Sequence, residues 1–323
     1  MHEPLLRNLL QQELITQEDA EKILLFETKK PFSLHWELKT LLYLGVLLLN
    51  IGLGFLIYEN IDTIGHAVII ALIGLISAVC FWYAVKHRQP FSTGEVKSPT
   101  AYYDYILLLG CLTFLIMEGY WQYQYGIFGT RYGLATFIPM VIFFGLAYWL
   151  DNRGVLSLGI TALAAWLGIT VTPQYLLTQN DFNSDSLVHT GIFLGLLLTL
   201  VPFLSERWGF KKHFSLTYLN FGVHILMIST LAAMIVLDQT ILYFLLLCVS
   251  IAFFLWYART RSSLYFLTMA VLYGYIGLTY MLITSTESMG LDFMFYLLYF
   301  VLSCAGVIVF LTRYKRFIKN EQP

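Results

Sequence analysis

Charge is scarce in this chain of 323 residues. Only 12% of its residues are Asp, Glu, Lys or Arg, about half the share of an ordinary soluble domain. That is too little to cover a water-facing surface, and it excludes both a soluble globule and a disordered chain. Neither sign of charge dominates: 19 basic against 20 acidic residues leave a net charge of −1. No basic field is available for nucleic acid. Cysteine is sparse too. Cys80, Cys111, Cys248 and Cys304 all lie inside apolar runs, with no C-x-x-C pair, so neither a disulfide framework nor a zinc site is indicated. They read as small buried hydrophobes. No P-loop, no G-x-S-x-G elbow and no zinc-protease motif occurs, and the cores of the apolar runs contain no lysine for a Schiff base. No cofactor is implied. The longest loop between runs, Lys86–Thr100, is too short for a soluble catalytic domain.

What the chain does have is hydrophobicity. Apolar residues make up 58% of it, and mean hydropathy is +0.70. A membrane helix needs about 20 apolar residues. Ten runs fit: Thr40–Tyr58, Ile64–Ala84, Tyr102–Tyr120, Tyr132–Leu150, Gly154–Val171, Leu187–Leu204, Phe214–Leu237, Thr240–Ala258, Ser262–Thr284 and Asp292–Thr312. They are apolar on all sides rather than alternating, which favours helices over a β-barrel. The expected fold is therefore all-α, a polytopic membrane protein of about ten spans. Residues 40–312 form the membrane domain, 1–39 a cytosolic helical hairpin and 313–323 a basic cytosolic tail. The first long apolar run begins near Thr40 behind a charged stretch, and no cleavable signal pattern is visible.

The few charges sort by side. Counting through ten spans puts 18 of the 19 Lys and Arg residues on one side, and only Arg131 on the other. The opposite loops carry Glu59, Asp62, Glu118, Asp181, Asp185, Asp238, Glu287 and Asp292. A wrong span count would scramble this alternation. By the positive-inside rule both termini are cytoplasmic, which suits a bacterial inner membrane.

In the N-terminal segment Leu5, Leu6, Leu9, Leu10 and Leu14 recur at helical spacing. Thr16-Gln17-Glu18-Asp19 has capping-box spacing, and Ala20, Ile23, Leu24 and Leu25 make an apolar stripe that Pro31 ends. Two such short helices bury little area alone, so they pack on each other, on the membrane face or on a protein partner. The hairpin, with Leu14-Ile15-Thr16-Gln17-Glu18-Asp19-Ala20-Glu21-Lys22-Ile23-Leu24 ahead of a helix-rich membrane region, resembles the bacterial predicted membrane protein family called domain of unknown function 2157. The resemblance implies a bacterial polytopic membrane protein and supplies no activity.

A weak internal similarity appears as well. Ala147-Tyr148-Trp149-Leu150-Asp151-Asn152-Arg153, Phe254-Leu255-Trp256-Tyr257-Ala258-Arg259 and Phe81-Trp82-Tyr83-Ala84-Val85-Lys86 each end a span with aromatics before a cation. Trp166-Leu167-Gly168-Ile169-Thr170 matches Tyr275-Ile276-Gly277-Leu278-Thr279 in type and order. Either an interfacial aromatic belt or a parallel repeat of 102–204 in 214–312 accounts for this.

Charged and polar residues inside a membrane are costly, so those that topology does not explain are the candidate site. Asp104 lies early in the third span, as an interfacial residue hydrogen-bonded by its neighbours or as a proton-linked carboxylate. Glu118 ends that span. Arg131, the lone cation of its side, either pairs with Glu118 or recognises an anionic group. His224 is mid-span, and His66 and His189 begin the second and sixth spans; each is a candidate interhelical hydrogen bond or polar-pathway residue. No H-x-x-x-H or H-E-x-x-H spacing offers a metal site.

Three functions compete. A membrane scaffold or sensor acting through the hairpin fits best. A permease or flippase-like carrier requires Asp104, Glu118, Arg131 or His224 to line a cavity. An enzyme on lipid-linked substrates requires Glu118, Arg131, His66 and His189 to converge.

Overall fold

The computed structural model describes residues 35–100, 102–129, 131–171, 185–287 and 293–318. The expected hairpin helices of residues 1–34 lie outside the described residues. The chain divides into two units, Met1–Leu53 and Gly54–Pro323.

Among the described residues, ten α-helices follow the ten apolar runs in order: α1 (His35–Ile64), α2 (His66–Lys86), α3 (Tyr103–Tyr125), α4 (Leu134–Leu150), α5 (Arg153–Val171), α6 (Asp185–Trp208), α7 (Ser215–Val236), α8 (Thr240–Thr260), α9 (Leu264–Glu287) and α10 (Phe293–Ile318). A 3-10 turn, Lys212–Phe214, leads into α7. No strand occurs among the described residues. Seven helices, α2, α3 and α5 to α9, are long and apolar enough to cross a membrane. The other three carry shorter apolar stretches, Thr40–Leu56, Leu134–Leu150 and Met294–Gly306. The fold is that of a polytopic α-helical membrane protein. Its outer surface carries bulky apolar side chains, among them Leu72, Val79, Leu200, Ile235 and Val249, which would be unstable in water and suit lipid.

Neighbouring helices pair as hairpins: α2 with α3, α4 with α5, α6 with α7, and α8 with α9. The α6–α7 hairpin joins two apolar cores. One, with Leu194, Leu198 and Tyr218, reaches back to α2–α5, where it includes Leu107, Phe143 and Leu156. The other, with Ile192, Val223 and Met227, reaches forward to Phe254 and Phe266 of α8–α9. Small residues let these two helices touch. A Cβ on Gly195 would stand 2.5 Å from the Leu226 backbone nitrogen, and one on Gly222 would stand 2.7 Å from Thr199 Oγ1. Without a hydrophobic drive between helices in lipid, such close backbone approach is a main source of association.

Two tight turns are built alike. Between α4 and α5, Asp151 is left-handed (φ 57°), the Asn152 N–H donates to Ala147 O, and the Leu156 N–H donates to Asn152 O. Between α8 and α9, Ser262 is left-handed (φ 49°), the Ser263 N–H donates to Ala258 O, and the Leu267 N–H donates to Ser263 O. Phe143 and Ala147 in the first helix pair, like Phe254 and Ala258 in the second, are fully buried.

Contacts across loops also place charges. The Lys211 N–H donates to Thr93 O, Arg153 pairs with Glu95 and Arg261 pairs with Glu206. These connections gather Arg88, Arg153, Lys211 and Arg261 at one end of the helices, called here the basic end.

Candidate functional site

The six residues singled out from the sequence do not form one site. Asp104 stands in the first turn of α3, where the helix dipole favours a carboxylate. Its oxygens accept from Ser98 Oγ at 2.7 Å and from Asn152 Nδ2 at 2.9 Å. Asn152 Oδ1 in turn accepts the Val155 N–H and so caps α5. Asp104 therefore fastens α3 to the α4–α5 turn.

The histidines bind tyrosines. His66 Nδ1 meets the Tyr120 hydroxyl at 2.6 Å across α2–α3. His189 Nε2 meets the Tyr243 hydroxyl at 2.9 Å across α6–α8, and its Nδ1 lies 2.6 Å from Asp185 O. His224 on α7 is held twice by α9, through Tyr273 at 2.7 Å and Tyr265 at 2.6 Å. A neutral imidazole offers one donor and one acceptor, and a phenol can serve as either. Such pairs satisfy polar groups without importing charge, as a low-dielectric interior requires. No two of these histidines share a partner. Among the described residues, no group of three His, Cys, Asp or Glu side chains could hold a metal ion.

Glu118 and Arg131 do not pair. Glu118 is 4% exposed, and neither carboxyl oxygen has a hydrogen-bond partner. Arg131 is exposed. Neither Glu118 oxygen bonds to Arg131, His66 or His189.

A different cluster, at the basic end, escaped sequence reasoning. The left-handed turn aims the Asp151 side chain inward, where one oxygen lies 2.9 Å from Lys211 Nζ and 2.6 Å from His213 Nε2. Its other oxygen accepts the Val96 N–H. All three side chains are buried, at 3%, 1% and 8% exposure. Lys211 Nζ also sits 5.1 Å from the centre of the Phe91 ring. Aromatic rings close the layer beneath: Tyr148 stacks on Phe210, meets Phe214 edge-on, and shares a hydroxyl hydrogen bond with Tyr218 at 2.8 Å. Outside it, the Arg88 guanidinium lies over Trp149 at 4.3 Å. Residues 87–100, which look like a plain connector in the sequence, are thus a strap held down across α4, α5 and the α6–α7 link. Beside Asp151 and Lys211 is a cavity of about 10 Å³, also lined by Gln89 and Ser98, with room for about one water. The cluster holds three elements together and leaves no open position for a substrate. One signal did mark it: Asp151 is a carboxylate on the side where the charge count expects cations.

A second cavity, about 330 Å³, lies between α5, α6 and α7 and is mostly apolar, with Leu167, Gly168, Val188, Gly191 and Ile225 in its wall. None of the six expected residues lines it. Of the cysteines, Cys80 and Cys111 are buried as expected, while Cys248 and Cys304 are exposed on the apolar surface; all four are free thiols.

Residues 7–156 match the model of a family described as a predicted membrane protein, DUF2157. The match runs from the N-terminal segment into the start of α5. No curated protein and no solved structure matches the chain.

Proposed function

We propose that this membrane protein is a scaffold or sensor that acts through its N-terminal hairpin, with the membrane domain as its anchor in the bacterial cytoplasmic membrane. One observation carries this reading: apart from Glu118 and Arg131, the candidate polar side chains of the membrane domain are taken up by other residues. Asp104, His66, His189 and His224 each close a contact between helices or turns, and neither cavity described above opens onto them. A solute path would need such groups to face open space. The sequence of the N-terminal segment, which lies outside the described residues, carries the apolar stripe Ala20, Ile23, Leu24 and Leu25, more than two short helices would bury alone.

Removing residues 1–30 tests this. The truncated protein is expected to stay folded and monodisperse in detergent, to lose its crosslinks to a protein partner, and to fail to complement a strain lacking the gene. Full complementation by the truncated protein would sink the scaffold reading.

A second reading, a carrier of a small amphiphile, is favoured by the cleft between α5, α6 and α7, whose volume falls in the range of small-molecule pockets. The matching turns at Asp151 and Ser262 fit a parallel repeat of 102–204 in 214–312, an arrangement found in transporters.

The gathering of Arg88, Arg153, Lys211 and Arg261 at one end supports cytoplasmic termini. A topology reporter fused at Lys97 is expected to give a cytoplasmic signal and one at Asp238 an external signal. An external signal at Lys97 would reverse the orientation.

A further inference from the structure

Among the described residues, Glu118 is the one carboxylate buried with no donor on either oxygen. Among the described residues, the helices packed on α3 offer no counter-charge at this end, and Arg131, in the loop before α4, is exposed. α3 packs on α2, α4 and α5. On α2 the only cation is Lys86, at the opposite end and over the Trp82 ring. His66, at the near end, is engaged with Tyr120. α4 contains no Asp, Glu, Lys, Arg or His, and its one tyrosine, Tyr148, is bonded to Tyr218 at the opposite end. The one charged residue of α5, Arg153, pairs with Glu95 at the opposite end. On α3 itself the nearest titratable groups are Cys111, Tyr120, Tyr123 and Tyr125, with Tyr103, Asp104 and Tyr105 at its start. One turn deeper, Phe114 meets Phe143 and Phe81, an aromatic layer that separates Glu118 from the basic end. Met117 packs its sulfur against Gly74. In the other direction, Tyr125 ends the helix seven residues on, about 10 Å away at the α-helical rise.

A bare carboxylate in such surroundings is unstable, and among the described residues no donor or counter-charge meets it. We propose that Glu118 is a binding site for one small monovalent cation, a proton or an alkali ion, which reaches it from the end of α3 near Tyr125. A proton neutralises the carboxyl by bonding to it, whereas an alkali ion neutralises it only with further oxygen ligands, which entering water would supply. With the site empty, the charge must be hydrated, so α3 must shift or admit water. Occupancy therefore couples the ionic conditions on that side of the membrane to the packing of α2, α3 and α4. This stands independently of the hairpin's role, because it concerns Glu118 alone.

Infrared difference spectroscopy on the full chain in lipid vesicles tests it, comparing the native protein with Glu118→Gln in sodium and in choline chloride across a pH series. The expected result is a carboxyl signal lost completely in the variant. A proton shows as a neutral-acid carbonyl stretch that converts to carboxylate on alkalinisation. An alkali ion shows as a carboxylate band that moves when sodium replaces choline. A Glu118 carboxylate band indifferent to both pH and sodium would mean a fixed protein partner and would overturn the proposal. Where the Gln variant does not fold, Glu118→Asp keeps the carboxyl and shifts the same band.

Discussion

Asp151→Ala is expected to cost roughly 3–5 kcal/mol of stability, the usual consequence of stripping one partner from a buried ion pair. The substitution leaves the Lys211 ammonium and the His213 imidazole buried without their shared acceptor, and it orphans the Val96 N–H. Part of the loss is conformational, because Asp151 holds a left-handed backbone that an alanine adopts at a cost of about 1–2 kcal/mol. Asp151→Gly relaxes the backbone and Asp151→Asn keeps both the shape and the turn, so the two separate charge from conformation. Both are expected to fall between native and Ala. Adding Lys211→Met to Asp151→Asn removes the uncompensated ammonium and should recover part of the loss. Thermal or detergent unfolding followed by tryptophan fluorescence reads the order. The strap should loosen first, so limited trypsin digestion at Arg88 and Lys97 should accelerate before the helices unfold. A native-like melting midpoint for Asp151→Ala would show that the cluster contributes no stability.

Gly195→Ala carries the second large effect. Its Cβ would lie 2.5 Å from the Leu226 nitrogen and 2.6 Å from the Leu226 Cα, both backbone atoms that no side-chain rotation can move. The α6–α7 hairpin must spread, and both apolar cores are anchored on it. Overpacking costs about 1–3 kcal/mol, and a clash against backbone belongs at the upper end of that range. Gly222→Ala meets Thr199 Oγ1 at 2.7 Å and is expected to behave similarly but less severely, because a hydroxyl can turn away. Gly145→Ala is the control: nothing lies within 4 Å of its Cβ, so it should be neutral or gain up to about 1 kcal/mol of helix propensity. Equal melting points for the Gly195 and Gly145 variants would show that the close approach does not matter to stability.

Some of the site was legible in the sequence. Asp104 stood out because a carboxylate inside a span is costly, and the histidines because an imidazole in a span seeks a partner; which of their expected roles they take was not written there. Their tyrosines were not identifiable: His224 and Tyr273 are far apart in sequence, on helices with no polar face to orient them. The expected Glu118–Arg131 pair failed for a similar reason. Closeness along the chain says little across a loop when helical phase turns one residue to the interior and leaves the other outside. Asp151, Lys211 and His213 were overlooked because the positive-inside count absorbs charges by end and is blind to whether they pair.

Sequence alone determined the ten apolar helices of the described residues, their order and the gathering of cations at one end. Lipid forces each crossing segment to close its own hydrogen bonds and pushes charge to the ends, so these features are written locally in the chain. Only the tertiary structure decided which polar groups meet, that residues 87–100 form a strap, and that Glu118 is buried without a partner among the described residues. Helices apolar on every side carry no stripe to mark the inward face. That choice falls to close contacts such as Gly195 on Leu226 and to hydrogen bonds such as His224 with Tyr265 and Tyr273, which exist only once the helices are side by side.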